Sequence, residues 1–86
     1  MKYVLFYESA EDVLTKAPIH YEAHAARLGE FQARGDLLMV GPFGDPQEQG
    51  SMSIFSSRRA AEEFVAGDPF VLNGVVSGWE IRDWDA

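Results

Sequence analysis

The chain has 86 residues, a formal net charge of −7, 47% hydrophobic and 13% aromatic residues, and no cysteine. At this length it makes one small domain, residues 1–86, hiding only about 60–65% of the surface its unfolded form exposes. The charge disfavours nucleic acid and anionic lipid as partners, since Lys2, Lys16, Arg27, Arg34, Arg58, Arg59 and Arg82 form no basic stripe, and the lack of cysteine excludes a disulfide scaffold and thiolate metal sites and suits a reducing cytoplasm.

Met1 leads directly into an apolar run, Tyr3 to Tyr7, that is too short for a membrane span and has no small-residue cleavage site after it. Neither a signal peptide nor a membrane anchor is expected. In the stretch Lys2 to Glu8, Tyr3, Leu5 and Tyr7 point one way and Val4 and Phe6 the other, the pattern of a central strand covered on both faces. Ser9 to Ala17 is polar and lacks apolar periodicity, so a loop near the mouth of any site is expected there. Pro18 suits the first turn of a helix that runs to Arg34 and stops at Gly35. Within that helix Tyr21, Ala25, Leu28 and Phe31 form one apolar stripe, and His24 falls on it. Glu22, Ala26, Arg27, Glu30, Ala33 and Arg34 take the flanks and outer face. An inward imidazole needs a partner, because an unpaired buried polar group costs about 1–3 kcal/mol.

Asp36 to Phe43 carries Leu37, Leu38, Met39 and Val40, a strand closed by Gly41-Pro42. Phe43 to Gly50 reads as a loop between neighbouring strands. Ser51 to Phe55 alternates, with Met52 and Ile54 on one face and Ser51, Ser53 and Phe55 on the other. Ser56 or Ser57 caps a second helix whose inner face is Ala60, Ala61, Phe64 and Val65, and whose outer face is Arg58, Arg59, Glu62 and Glu63, ending at Gly67. Asp68 then caps a short helical turn opening on Pro69 and closing before Asn73-Gly74. Val75 to Trp84 is the last strand, with Trp79 and Ile81 on one face. The order is strand, helix, strand, strand, helix, strand. Right-handed crossovers turn that order into a ferredoxin-like four-stranded antiparallel sheet with both helices on one face. Two helices cover only that face, so the apolar residues on the other, together with the aromatic-rich composition, argue for a homodimer.

His24 is the leading chemical candidate, read either as a core histidine satisfied by a backbone carbonyl or as a working acid–base group. Asp68 is the carboxylate to pair with it. Its two readings, helix cap and histidine partner, are compatible: a capped carboxylate that accepts the Nδ1 proton fixes the tautomer and leaves Nε2 free. His20 and His24 are four apart, but the segment His-Tyr-Glu-Ala-His is not the His-Glu-x-x-His of zinc peptidases, so no metal site is expected. Gly41-Pro42 either ends a strand or lets a ligand come close. Tyr7, Met39, Phe43, Phe55, Phe70 and Trp79 are candidates for an apolar pocket or for core and subunit interface. The serines sit in no nucleophile-elbow context.

The series His24-x-x-Arg27-Leu28, Gly35-x-Leu37-Leu38-x-x-Gly41-Pro42, Ala60-Ala61, Asp68-Pro69-Phe70 and Gly74 resembles the YCII-related (YciI-like) domain over nearly the whole chain. That resemblance implies a dimeric α/β-barrel, and it places the family's hallmark histidine and aspartate on His24 and Asp68. A relative is associated with dehydrochlorination of a chlorinated hydroxyhydroquinone. By implication this chain is a cofactor-free lyase for a small cyclic or aromatic compound; the acid–base pair itself also suits an isomerase, and the pocket reading above makes Tyr7, Gly41, Pro42 and Phe70 the expected substrate-binding residues. The alternative is a non-catalytic ligand-binding or stress-associated dimer. Many members of the family carry an arginine where this chain has Tyr21, which removes one contact for an anionic substrate. Arg27 is the residue that could substitute, but on the helix flank it is expected to be solvated.

Overall fold

A computed structural model describes residues 1–86. The central strand β1 (Lys2–Ser9) pairs antiparallel with β3 (Ser51–Phe55) on one side and β4 (Val76–Trp84) on the other, while β2 (Leu37–Pro42) adds to β3, giving the order β2-β3-β1-β4. Every pairing is antiparallel. This is the ferredoxin-like α+β arrangement. Register sorts the side chains by face: Tyr3 lies opposite Phe55, Leu5 opposite Ser53 and Ile81, and Tyr7 opposite Ser51 and Trp79. These rows share the face that the helices cover, because in a strand alternate residues point the same way.

Helix α1 (Val13–Ala33) and helix α3 (Arg58–Gly67) pack on that face. Their meeting surface is the core, in which Phe31 from α1 and Ala60, Ala61, Phe64 and Val65 from α3 close on Leu5, Tyr7, Leu37 and Phe55. Phe31 and Phe64 meet edge to face with ring centroids 5.2 Å apart, an arrangement worth about 0.5–1.5 kcal/mol beyond the area buried. Ser57 caps α3 through a hydrogen bond accepted from the Ala60 N–H at 3.1 Å, and Gly35, at φ +80, takes the left-handed turn that ends α1.

The long helix begins earlier than the sequence led one to expect. Ser9 to Ala17 is not a loop: α1 starts at Val13, so Pro18 lies inside the helix instead of at its first position. The proline removes the N–H that would bond the Leu14 carbonyl, and Leu14 is 74% exposed, so water is at hand for the freed oxygen. The Phe43–Gly50 connection also holds a single turn, α2 (Pro46–Gln49), tied to the end of β1 by Ser9 Oγ donating to the Pro46 carbonyl at 2.6 Å and Gln47 Nε2 to the Ala10 carbonyl at 3.0 Å. The other sheet face carries no helix. Val4, Phe6, Met52, Ile54, Met39 and Trp84 lie on it by register.

Candidate functional site

One end of the sheet, where β1 and β2 finish and β3 and β4 begin, is left open by the core and roofed by the first half of α1. The result is a cavity of about 360 Å³. From the helix, Val13, Ala17, Tyr21, His24 and Leu28 face it, residues spaced three and four apart and therefore on one stripe. The floor is Tyr7 and Ser51, and the walls are Gly41, Pro42, Pro46, Phe70 and Val76. No Asp, Glu, Lys or Arg lines it.

His24 is buried to 8% exposure, and its Nδ1 lies 2.6 Å from Asp68 Oδ1. Since an ionised carboxylate only accepts, Nδ1 carries the proton and Nε2 is the nitrogen left for other work. Asp68 is wholly buried. Its position follows from local chain chemistry: α3 ends at Gly67, and the short helix α4 (Pro69–Leu72) starts with Pro69 in its first turn. The Asp68 side chain caps α4 by accepting the Phe70 N–H at 3.1 Å through the same Oδ1. Capping and histidine pairing thus coexist on one oxygen. The other oxygen, Oδ2, accepts from the Tyr7 hydroxyl at 2.5 Å. Burial, then the bond to Asp68, pushes the Tyr7 phenol well above its ordinary pKa, with Arg27 opposing.

The cap also places Phe70, whose ring stacks on the imidazole at 3.7 Å and within 3° of parallel. Phe64 meets the imidazole edge-on at 6.2 Å. With one face covered, its Nδ1 bound and α1 behind it, the ring keeps a single orientation.

Of the residues singled out from the sequence, the structure brings His24 and Asp68 into direct contact and sets Tyr7, Gly41, Pro42 and Phe70 around the same cavity. The wider aromatic set divides differently. Phe55 is fully buried in the core, Met39 and Phe43 line a separate depression with Met52 and Ile54, and Trp79 is half exposed and away from the His24 cavity. Tyr21 is not part of a buried stripe; it is 60% exposed and stands at the rim. His20 does not line the cavity, and no group of three His, Cys, Asp or Glu side chains is placed to hold a metal ion.

Two relationships were missed from sequence. Arg27 is half-buried and bound rather than free in solvent: it donates from Nε to the Phe64 carbonyl at 3.2 Å and from Nη2 to the Glu63 carbonyl at 2.7 Å. There it satisfies the Phe64 carbonyl, one of the last four of α3, which have no partner within the helix, and adds a second donor to the Glu63 carbonyl one residue earlier. The Tyr7–Asp68 bond was the second, although an inward tyrosine on a central strand signals a buried hydroxyl in search of an acceptor.

The model of the YCII-related domain matches residues 1–85. The chain belongs to the YCII-related family. One family relative, an uncharacterized protein of Haemophilus influenzae, is 34% identical over 85 aligned residues, with 87% of each chain covered. Among solved structures, the YCII fold of this chain is similar to that of 5-chloro-2-hydroxyhydroquinone dehydrochlorinase (TftG) from Burkholderia phenoliruptrix AC1100 in complex with 2,5-dihydroxybenzoquinone. The TM-score is 0.79 at 23% identity, over 99% of this chain and 94% of the other. At that identity the likeness is one of fold.

Proposed function

We propose that this YCII protein is an enzyme that uses His24 Nε2 for general acid–base chemistry on a small cyclic or aromatic compound, as a lyase or an isomerase needing no cofactor. The observation that carries it is the His24 Nδ1–Asp68 Oδ1 contact of 2.6 Å at the edge of an otherwise apolar cavity. Asp68 orients the imidazole and stabilises the imidazolium formed when Nε2 takes a proton; positioned proton transfer of this kind contributes about 10²–10⁴-fold. Among the lining side chains, Ser9 already donates its hydroxyl proton to Pro46 and Tyr7 donates to Asp68. Tyr21 and Ser51 also bring hydroxyls to the lining, but the imidazole is the lining group suited both to accept and to return a proton, so both tasks are given to Nε2. In an elimination it accepts the substrate proton, the leaving group departs with its bonding pair, and the imidazolium then returns the proton to that group or to solvent. In an isomerisation it returns the proton to another carbon. The ligand of the TftG structure, 2,5-dihydroxybenzoquinone, is a single small ring, and guides the choice of test compounds for a cavity of about 360 Å³.

The test is a turnover screen of chlorinated and hydroxylated aromatics followed by chloride release and absorbance. Wild type should turn over at least one of them, His24→Ala should lose about 10²–10⁴-fold, and both should give the same circular dichroism. Undiminished turnover in His24→Ala ends the catalytic reading. A ligand bound by both wild type and His24→Gln with no turnover in either would favour the non-catalytic binding dimer.

The assembly proposed with this activity is a homodimer built on the uncovered sheet face, in which Met39 is 67% and Trp84 48% exposed. No helix is long and apolar enough to cross a membrane. The cytoplasm is proposed from the lack of cysteine, and the charge of −7 argues against nucleic-acid partners.

A further inference from the structure

Tyr7 lines the cavity, and by position alone it would be assigned to substrate binding. Its hydrogen bonding gives it a second task. The phenol has one proton, and that proton is given to Asp68 Oδ2 at 2.5 Å, so none is left to donate to a ligand. For Oδ2 this hydroxyl is the one protein partner, whereas Oδ1 is shared by His24 Nδ1 and the Phe70 N–H. The carboxylate is wholly buried, and no buried side-chain polar atom in the chain lacks a partner.

We infer that Tyr7 is a positioning residue whose hydroxyl, by anchoring Asp68 Oδ2, sets the plane of the carboxylate and thereby fixes which nitrogen of His24 carries the proton. A carboxylate held only through Oδ1 pivots about its Cβ–Cγ bond; held at both oxygens, it does not. The anchor has an electronic effect as well. By drawing charge toward Oδ2 the phenol weakens the hydrogen bond that Oδ1 accepts from His24 Nδ1. The phenol itself stays protonated because burial and the neighbouring carboxylate both oppose its ionisation, Arg27 being the one charged group acting the other way. Its rigidity comes from β1, which is paired on both sides at this residue, to Ser51 and to Trp79. A central strand is a fixed point from which to hold the carboxylate, and Asp68 sits at the single-residue junction between α3 and α4, where no strand pairing holds its own backbone.

The assignment stands apart from the proposed reaction, since it concerns the resting protein and needs no substrate. Its test is proton and nitrogen magnetic resonance of the ¹⁵N-histidine-labelled full chain. Wild type should show a far-downfield exchangeable proton on His24 Nδ1, absent in Asp68→Asn. Replacing Tyr7 with a ring-fluorinated tyrosine, whose hydroxyl is more acidic and whose shape is nearly unchanged, should move that proton upfield with the tautomer kept. Tyr7→Phe should broaden the signal, speed its exchange with water and draw the two ring-nitrogen shifts toward each other as the second tautomer becomes populated. A residue that merely fills the floor of the cavity would leave the His24 signals of both variants at their wild-type positions, and that result overturns the inference. So does the absence of the downfield proton in wild type. Should Tyr7→Phe not fold, the fluorinated variant decides alone: no upfield movement, no coupling.

Discussion

Three side chains from three elements meet at Asp68: Tyr7 from β1, His24 from α1, and the carboxylate itself from the junction of α3 and α4. The pairing of His24 with Asp68 was legible because each residue carried its own local demand, an imidazole on an inward stripe and a cap before Pro69, and one carboxylate serves both. Tyr7 as the third member was not, because nothing in an alternating strand says which inward side chain reaches a distant loop. A pH dependence follows from it. In the unfolded chain the phenol ionises near its ordinary value of about 10; in the fold its pKa is raised, chiefly by burial. Above that ordinary value the folded chain holds a proton that the unfolded chain releases, so stability is full below pH 10 or so and falls as pH rises beyond it. The slope is at most about 1.4 kcal/mol per pH unit. Urea unfolding of wild type between pH 8 and 11.5 should show this loss. In Tyr7→Phe, where the group is gone, only the weaker slope from the other titrating residues should remain.

At the scale of elements, the strands and α3 could be read from the chain because alternation, an N-capping serine and a terminal glycine each leave a local mark. The start of α1 could not. Its N-cap residue, Asp12, makes no side-chain cap, and Pro18 imitates the opening of a helix while sitting in the interior of one. The stripe of Val13, Ala17, Tyr21 and His24 was present but starts on the far side of that proline. Arg27 escaped for another reason: its partners are backbone carbonyls of α3, which no residue type advertises. Gly50 shows how closely the elements approach beside the cavity. It closes α2 at φ +71, and a Cβ there would stand 1.9 Å from the Tyr7 carbonyl oxygen. Gly50→Ala therefore forces β1 and β3 apart at the Tyr7–Ser51 pair. The left-handed backbone and the overlap together should cost at least about 2 kcal/mol, read as a lowered thermal midpoint.

Across the whole molecule the two sheet faces have different fates. One holds the core and, at its end, the cavity; the other has Val4 and Ile54 sheltered by neighbours and Met39 and Trp84 in the open. A dimer through this face should be seen as a doubled mass by light scattering at micromolar concentration, and Met39→Asp should return it to a single chain. A monomeric wild type would refute the assembly and leave the His24 site untouched. The long helix meanwhile serves both regions unequally. From His24 to Ala33 it is pinned by Phe31 in the core and by Arg27 on α3, whereas from Val13 to Tyr21 the hollow lies beneath it, Val13 is its one buried residue, the N-cap makes no side-chain bond and Pro18 leaves a rung missing. Its amide protons should therefore report two different openings: those of the second half exchanging with deuterium only on global unfolding, those of the first turns through cheap local fraying, orders of magnitude sooner. The roof over the imidazole is then the least protected long-helix segment of the chain, and a molecule lodged under it should slow its deuterium uptake before it slows any other.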